Sequence, residues 1–174
     1  MAGDLLVAEV TNGKEASFVY DSGADLVAII YEGKYYFYVK NLQGDIVSIV
    51  DESGTAIVNY SYDSWGRLLQ IEGSKKDTIG ILNPFRYRGY YQDTETGLYY
   101  LMSRYYDAVT HRFINADGYF QAGTSILDGN TFAYCANNPV SRADTGGDSW
   151  FSDIAATVVE SALTAMAAIC PWMG

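Results

Sequence analysis

One histidine, two cysteines and three prolines in 174 residues leave little of the material from which most enzyme sites are built. The chain has no CxxC or HExxH spacing, no GxGxxG or GxxxxGK loop and no GxSxG elbow. Those absences exclude the common zinc, nucleotide and serine-hydrolase signatures, and no cofactor or metal is expected. Cys135 and Cys170 cannot make a disulfide framework and read as two buried thiols. Basic residues are few, 11 against 21 acids, for a formal net charge of -10. Such a chain repels phosphate backbones, so nucleic acid is not an expected partner. Met1-Ala2-Gly3-Asp4 opens with an acid, and no basic stretch leads into an apolar run, so no cleavable signal peptide is visible.

What is abundant is tyrosine: 16 of them, all between Tyr20 and Tyr134. Glycines at 13, 23, 33, 44, 54 and 66 punctuate apolar runs at Leu5 to Val10, Leu26 to Tyr31, Tyr35 to Val39 and Ile46 to Val50. Short β-branched and aromatic runs at this spacing predict a meander of antiparallel hairpins. Val58, Tyr60 and Tyr62 alternate with Asn59, Ser61 and Asp63, which gives the strand one apolar and one wet face. In Tyr62-Asp63-Ser64-Trp65-Gly66-Arg67 the tyrosine ends a strand with its ring inward. Asp63 accepts hydrogen bonds from the turn backbone, Gly66 takes the left-handed position, and Arg67 begins the return. Phe18 to Leu26 reads as a degraded copy of this unit. Units of this kind bury their faces against their neighbours, as in a repeat array.

Tyr62 to Arg67 resembles the tyrosine–aspartate (YD) repeat of Rhs proteins and teneurins. The stretch from Asn83 to Asp144 is similar to the Rhs repeat-associated core domain. It carries Phe85-Arg86-Tyr87-Arg88-Gly89-Tyr90-Tyr91, Asp93 to Tyr100 and Ser103-Arg104-Tyr105-Tyr106-Asp107. Arg112 to Asp117 and Phe132 to Val140 follow in the same order. The resemblance covers residues 18 to 147. It implies a mainly β fold, an antiparallel hairpin array that forms a segment of a β-spiral shell. It also implies that the shell encloses a C-terminal cargo, often a toxin used against competing bacteria, with the core segment closing one end. Other YD repeats, or that cargo, are the implied partners, and the implied location is secreted or cell-surface. Arg86, Arg88, Arg104 and Arg112 are expected to stack on rings and to pair with Asp93 or Glu95. By analogy with teneurins, the aromatic strip implies a glycan as a further partner.

The resemblance also implies a candidate active site. Many Rhs cores resemble self-cleaving aspartyl proteases with two Asp-Pro-x-Gly motifs, whose paired carboxylates share a proton. Asp117 and Asp144 stand at the matching positions, in Asp117-Gly118-Tyr119-Phe120 and Asp144-Thr145-Gly146-Gly147. Both motifs lack the proline, and the first lacks the final glycine, so the leading expectation is a non-enzymatic shell segment. Cleavage, if retained, falls between Gly147 and Trp150. His111 stands where the family commonly has glycine and is expected to be a loop residue.

Residues 149 to 170 read as one amphipathic helix, capped by Ser149 or Ser152 and stopped by Pro171. Its apolar stretch is marginal for a bilayer, so membrane contact is not expected. The expected division is 1–82 hairpin repeats, 83–147 core and 148–174 a short variable helix. The unpaired sheet edges of so short a segment predict that it self-associates or is unstable alone.

Overall fold

The computed structural model describes residues 5–11, 13–116, 130–144 and 151–152. The chain divides into two compact units, Met1–Gly97 and Leu98–Gly174.

The first unit is a seven-stranded antiparallel meander in which every strand pairs with its sequence neighbours. Its strands are β1 (Ala8–Thr11), β2 (Lys14–Tyr20), β3 (Leu26–Tyr31), β4 (Lys34–Lys40), β5 (Ile46–Val50), β6 (Ala56–Tyr62) and β7 (Leu68–Glu72). β3 and β5 have the expected bounds. β1 starts at Ala8 rather than Leu5; just before it the Leu6 carbonyl accepts the Tyr20 hydroxyl and the Val7 carbonyl accepts the Phe18 amide.

One turn is used four times. The side-chain oxygen of Asp21, Asn41, Asp51 or Asp63 accepts the amides two and four residues on, at 2.8–3.0 Å. The fourth residue donates its amide back to the first carbonyl and sits in the left-handed region. It is glycine at 44, 54 and 66, with φ of 85°, 81° and 86°. In the degraded copy that position is Ala24 (φ 65°), not Gly23. Each turn is flanked by a one-residue register shift, as expected of a three-residue hairpin loop with a bulge.

The register puts Ala16, Phe18, Ile29, Tyr31, Tyr36, Ile49, Val58 and Tyr60 on one face, and this face is the core. It is covered by residues 79–92, which contain one helical turn, α1 (Ile79–Leu82), a 3-10 turn at Tyr87–Gly89, and β8 (Tyr91–Gln92). Two layers around one apolar interior are the minimum a sheet needs to fold. The sequence boundary expected after Leu82 falls inside this unit.

In the second unit β9 (Tyr99–Leu101), β10 (Arg104–Asp107) and β11 (Arg112–Phe113) form a meander. Behind it Tyr99, Tyr106, Phe113 and Tyr134 make a buried aromatic cluster, with Tyr106 and Tyr134 stacked at 4.1 Å. His111 is a turn residue in the left-handed region (φ 62°). β12 (Arg142–Ala143) pairs with β13 (Phe151–Ser152). This corrects one expectation: Phe151 and Ser152 are not helical, because their backbone is committed to a ladder. The rest of the expected helix lies outside the described residues. Among the described residues no helix is long and apolar enough to cross a membrane.

Candidate functional site

The motif residues converge on two places, one in each unit. The first is the crossing segment, residues 83–92. Asn83 is fully buried, and its amide organises the layer beneath it. Its Oδ1 accepts the Tyr38 hydroxyl at 2.8 Å and the Phe85 amide at 3.3 Å. Its Nδ2 donates to the Phe85 carbonyl at 2.6 Å and to the Tyr60 hydroxyl at 3.3 Å. Tyr60 in turn donates to the Gly80 carbonyl at 2.9 Å. Arg86, also buried, donates Nε to Asn83 and Nη2 to Gly80 and Ile81, all at carbonyl oxygens. Its guanidinium lies 5.6 Å from the Tyr60 ring centre. Arg86 therefore satisfies carbonyls that the end of α1 leaves without intrahelical partners.

This network has an electrostatic signature. Burial raises the Tyr38 hydroxyl well above its ordinary 10.0, with further upward pushes from Tyr60 and Tyr20. Burial also raises Tyr60, against smaller opposing effects of Asn83 and Arg86. Both phenols are held in the neutral, hydrogen-bonding form.

The rest of the segment is pinned residue by residue. Phe85 meets Phe18 edge-on at 5.0 Å. The Arg86 carbonyl accepts the Ile46 amide at 3.0 Å, and the Arg88 amide donates to the buried Asp45 carboxylate at 3.0 Å. Tyr87 covers Gly66, where an added Cβ would lie 2.3 Å from the ring. The glycine of the YD turn is thus required twice, for its positive φ and for the ring on top of it. The repeat tyrosines act alike: Tyr20 donates to the Leu6 carbonyl and Tyr62 to the Ile46 carbonyl, at 2.9 and 2.8 Å.

The second place surrounds Asp144. Its carboxylate is 2% exposed and lies 3.3 Å from Nη2 of Arg104, itself buried. Arg104 also donates Nη1 to the Thr131 carbonyl at 3.1 Å and stacks over Phe113 at 3.6 Å. Asp144 thus fastens the strand after the aromatic cluster to β10. Asp117, its expected partner, lies outside the described residues, as do Gly147 and Trp150. The expected pairing of arginines with Asp93 or Glu95 does not form. Asp93 instead accepts the Thr96 hydroxyl at 2.7 Å, which, with the Glu95 amide, holds its carboxyl below the ordinary range. Ring stacking holds for Arg86, Arg88 and Arg104. Among the described residues no group of three His, Cys, Asp or Glu side chains gathers. Asn83 and Asp45, the two buried anchors of the crossing segment, carried no sequence signal of their own beyond lying beside the motifs.

Comparison with known proteins agrees with this architecture. The family described as Teneurin YD-shell matches residues 7–140. The tRNA3(Ser)-specific nuclease WapA of Bacillus spizizenii is 39% identical over 145 residues, 82% of this chain and 6% of that protein. Salivary gland surface protein 1 of Aedes aegypti is 30% identical over 122 residues, 70% of this chain and 3% of that protein. The crystal structure of TcdB2-TccC3-Cdc42 superposes with a TM-score of 0.64 at 26% identity, over 77% of this chain and 6% of that chain. This chain therefore spans a small fraction of the length of the relatives it matches. With its YD turns, its crossing segment and a family match over most of its length, the chain belongs to the teneurin YD-shell family, as a segment of an Rhs-type shell.

Proposed function

We propose that the chain serves as wall and closure of a hollow shell that encloses a C-terminal polypeptide, in a secreted or surface protein. The observation that carries this reading is the crossing segment. Asn83, Phe85, Arg86, Tyr87 and the Arg88 amide, which open the Rhs core signature, are spent on backbone carbonyls, a buried carboxylate and neighbouring rings. Side chains committed in this way close a layer; they leave no polar constellation aimed at a substrate. The test is a transplant: residues 7–140 replace the matching stretch of WapA, and trypsin is added. The polypeptide that follows the transplant is expected to stay protected as in the parent, and rapid digestion would sink the reading.

Self-cleavage by Asp117 and Asp144 is the enzymatic alternative, and the burial of Asp144 is the observation on its side. Its chemistry requires a second carboxyl brought beside that of Asp144, so that the pair shares one proton. Intact mass after prolonged incubation decides it: fragments that vanish in Asp144→Asn support cleavage, and an uncut chain refutes it.

A further inference from the structure

In the first unit the phenols of Tyr20, Tyr38, Tyr60, Tyr62, Tyr87 and Tyr91 each donate to an acceptor in the protein. Tyr100 and Tyr105, in the second unit, differ. They are 43% and 42% exposed, and among the described residues neither hydroxyl bonds to a protein group. β9 and β10 set the two side by side. Leu101 pairs with Arg104 beside the turn, and Tyr100 pairs with Tyr105 next to them. The Tyr105 carbonyl accepts the Ile114 amide at 2.8 Å, so the backbone bonds of Tyr105 run toward β11 and not toward Tyr100. The tyrosines therefore form the non-hydrogen-bonded kind of antiparallel pair, in which side chains come closest. Their ring centres lie 5.2 Å apart, with the planes tilted by 47°.

We propose that Tyr100 and Tyr105 are a site of oxidative cross-linking, joined within one chain as dityrosine by a haem peroxidase and hydrogen peroxide. Each phenol gives one electron to the peroxide-oxidised haem and its hydroxyl proton to water. The two phenoxyl radicals couple through the ring carbons beside their oxygens, which forms one carbon–carbon bond. The two hydrogens on those carbons pass as protons to the oxygens and restore both phenols. One peroxide takes up the two electrons and two protons and leaves as two waters. Exposure and contact together select this pair. Of the exposed described tyrosines, Tyr35, Tyr100 and Tyr105, only these two make a ring contact. The closer Tyr106–Tyr134 stack, at 4.1 Å, is fully buried, away from an oxidant and from water that could take its protons. The link closes a short hairpin, so it constrains the unfolded chain little; its effect is that β9 and β10 can no longer part.

Treatment of the whole chain with a haem peroxidase and hydrogen peroxide tests this, with the monomer isolated under denaturing conditions. That monomer is expected to have lost two hydrogens and to show the blue fluorescence of dityrosine. Trypsin is expected to release a species joining residues 89–104 to 105–112, which cleavage after Arg104 otherwise separates. Tyr100→Phe and Tyr105→Phe keep both rings, with folding checked by circular dichroism, and each is expected to abolish the joined species. Tyr35→Phe is expected to leave it unchanged. A folded monomer that loses no hydrogens overturns the inference. So does a joined species that survives Tyr100→Phe, and so do links found only between chains.

Discussion

At the scale of single residues, the left-handed positions carry the clearest consequences. Gly66→Ala would force a methyl into the Tyr87 ring and hold a side chain at φ 86°. Overpacking and left-handed strain together cost about 2–4 kcal/mol, so a large fall in melting temperature is expected. Ala24→Gly is the opposite case, because an exposed alanine occupies the place that glycine holds in the other three turns. Relief of its strain is worth about 1 kcal/mol, measurable as a rise in denaturation midpoint. At Asp144, truncation to alanine leaves Arg104 buried without its carboxylate. That costs about 3–5 kcal/mol whether or not the chain cuts itself, and a melt reads it directly. The tyrosines set the pH response. Tyr38 and Tyr60 are raised above 10.0 in the folded chain, so only the unfolded chain releases these protons near that pH. Stability from this source is complete below pH 10 and is lost as pH climbs beyond it toward the folded values. A melting temperature that falls above pH 10, and falls less steeply in Tyr38→Phe, is the expected profile.

At the scale of elements, the hairpins were legible because period-2 alternation, turn residues and β-branched runs agree locally. β3 and β5 could be read to the residue, and Asp63 and Gly66 do in the structure what a short carboxylate and the lack of a Cβ suggest. Most of the failures are non-local. Nothing near Leu5 reveals that the Leu6 carbonyl is taken by a tyrosine fourteen residues on. Asp93 is the exception, because Thr96, only three residues on, holds it in a local turn in place of the expected arginine. Phe151 and Ser152 sit in a pattern suited to helix, but a partner strand overrides that preference. The crossing segment is the extreme case. Its motif announces a family, whereas its physical task emerges only when Asn83 is seen under Tyr38 and Tyr60. Asn83→Leu keeps the approximate volume but orphans the Tyr38 hydroxyl and the Phe85 backbone, while Tyr60 keeps its bond to the Gly80 carbonyl. Each unsatisfied buried group costs about 1–3 kcal/mol, so this variant should lose the cooperative melt that Gln92→Ala retains.

At the scale of the whole molecule, the account rests on residues 83–92 being part of the wall and not a loop laid over it. Amide hydrogen exchange on the intact chain reads that distinction residue by residue. The amides of Ile46, Arg86, Arg88 and Gln92 bond to the Arg86, Tyr90 and Pro84 carbonyls and the Asp45 carboxylate. They are expected to exchange as slowly as the central strands β3 to β6, opening only with the unit as a whole. If they exchange as fast as the exposed 93–97 turn while the strands stay protected, the segment is a loose cover and the shell-wall reading fails.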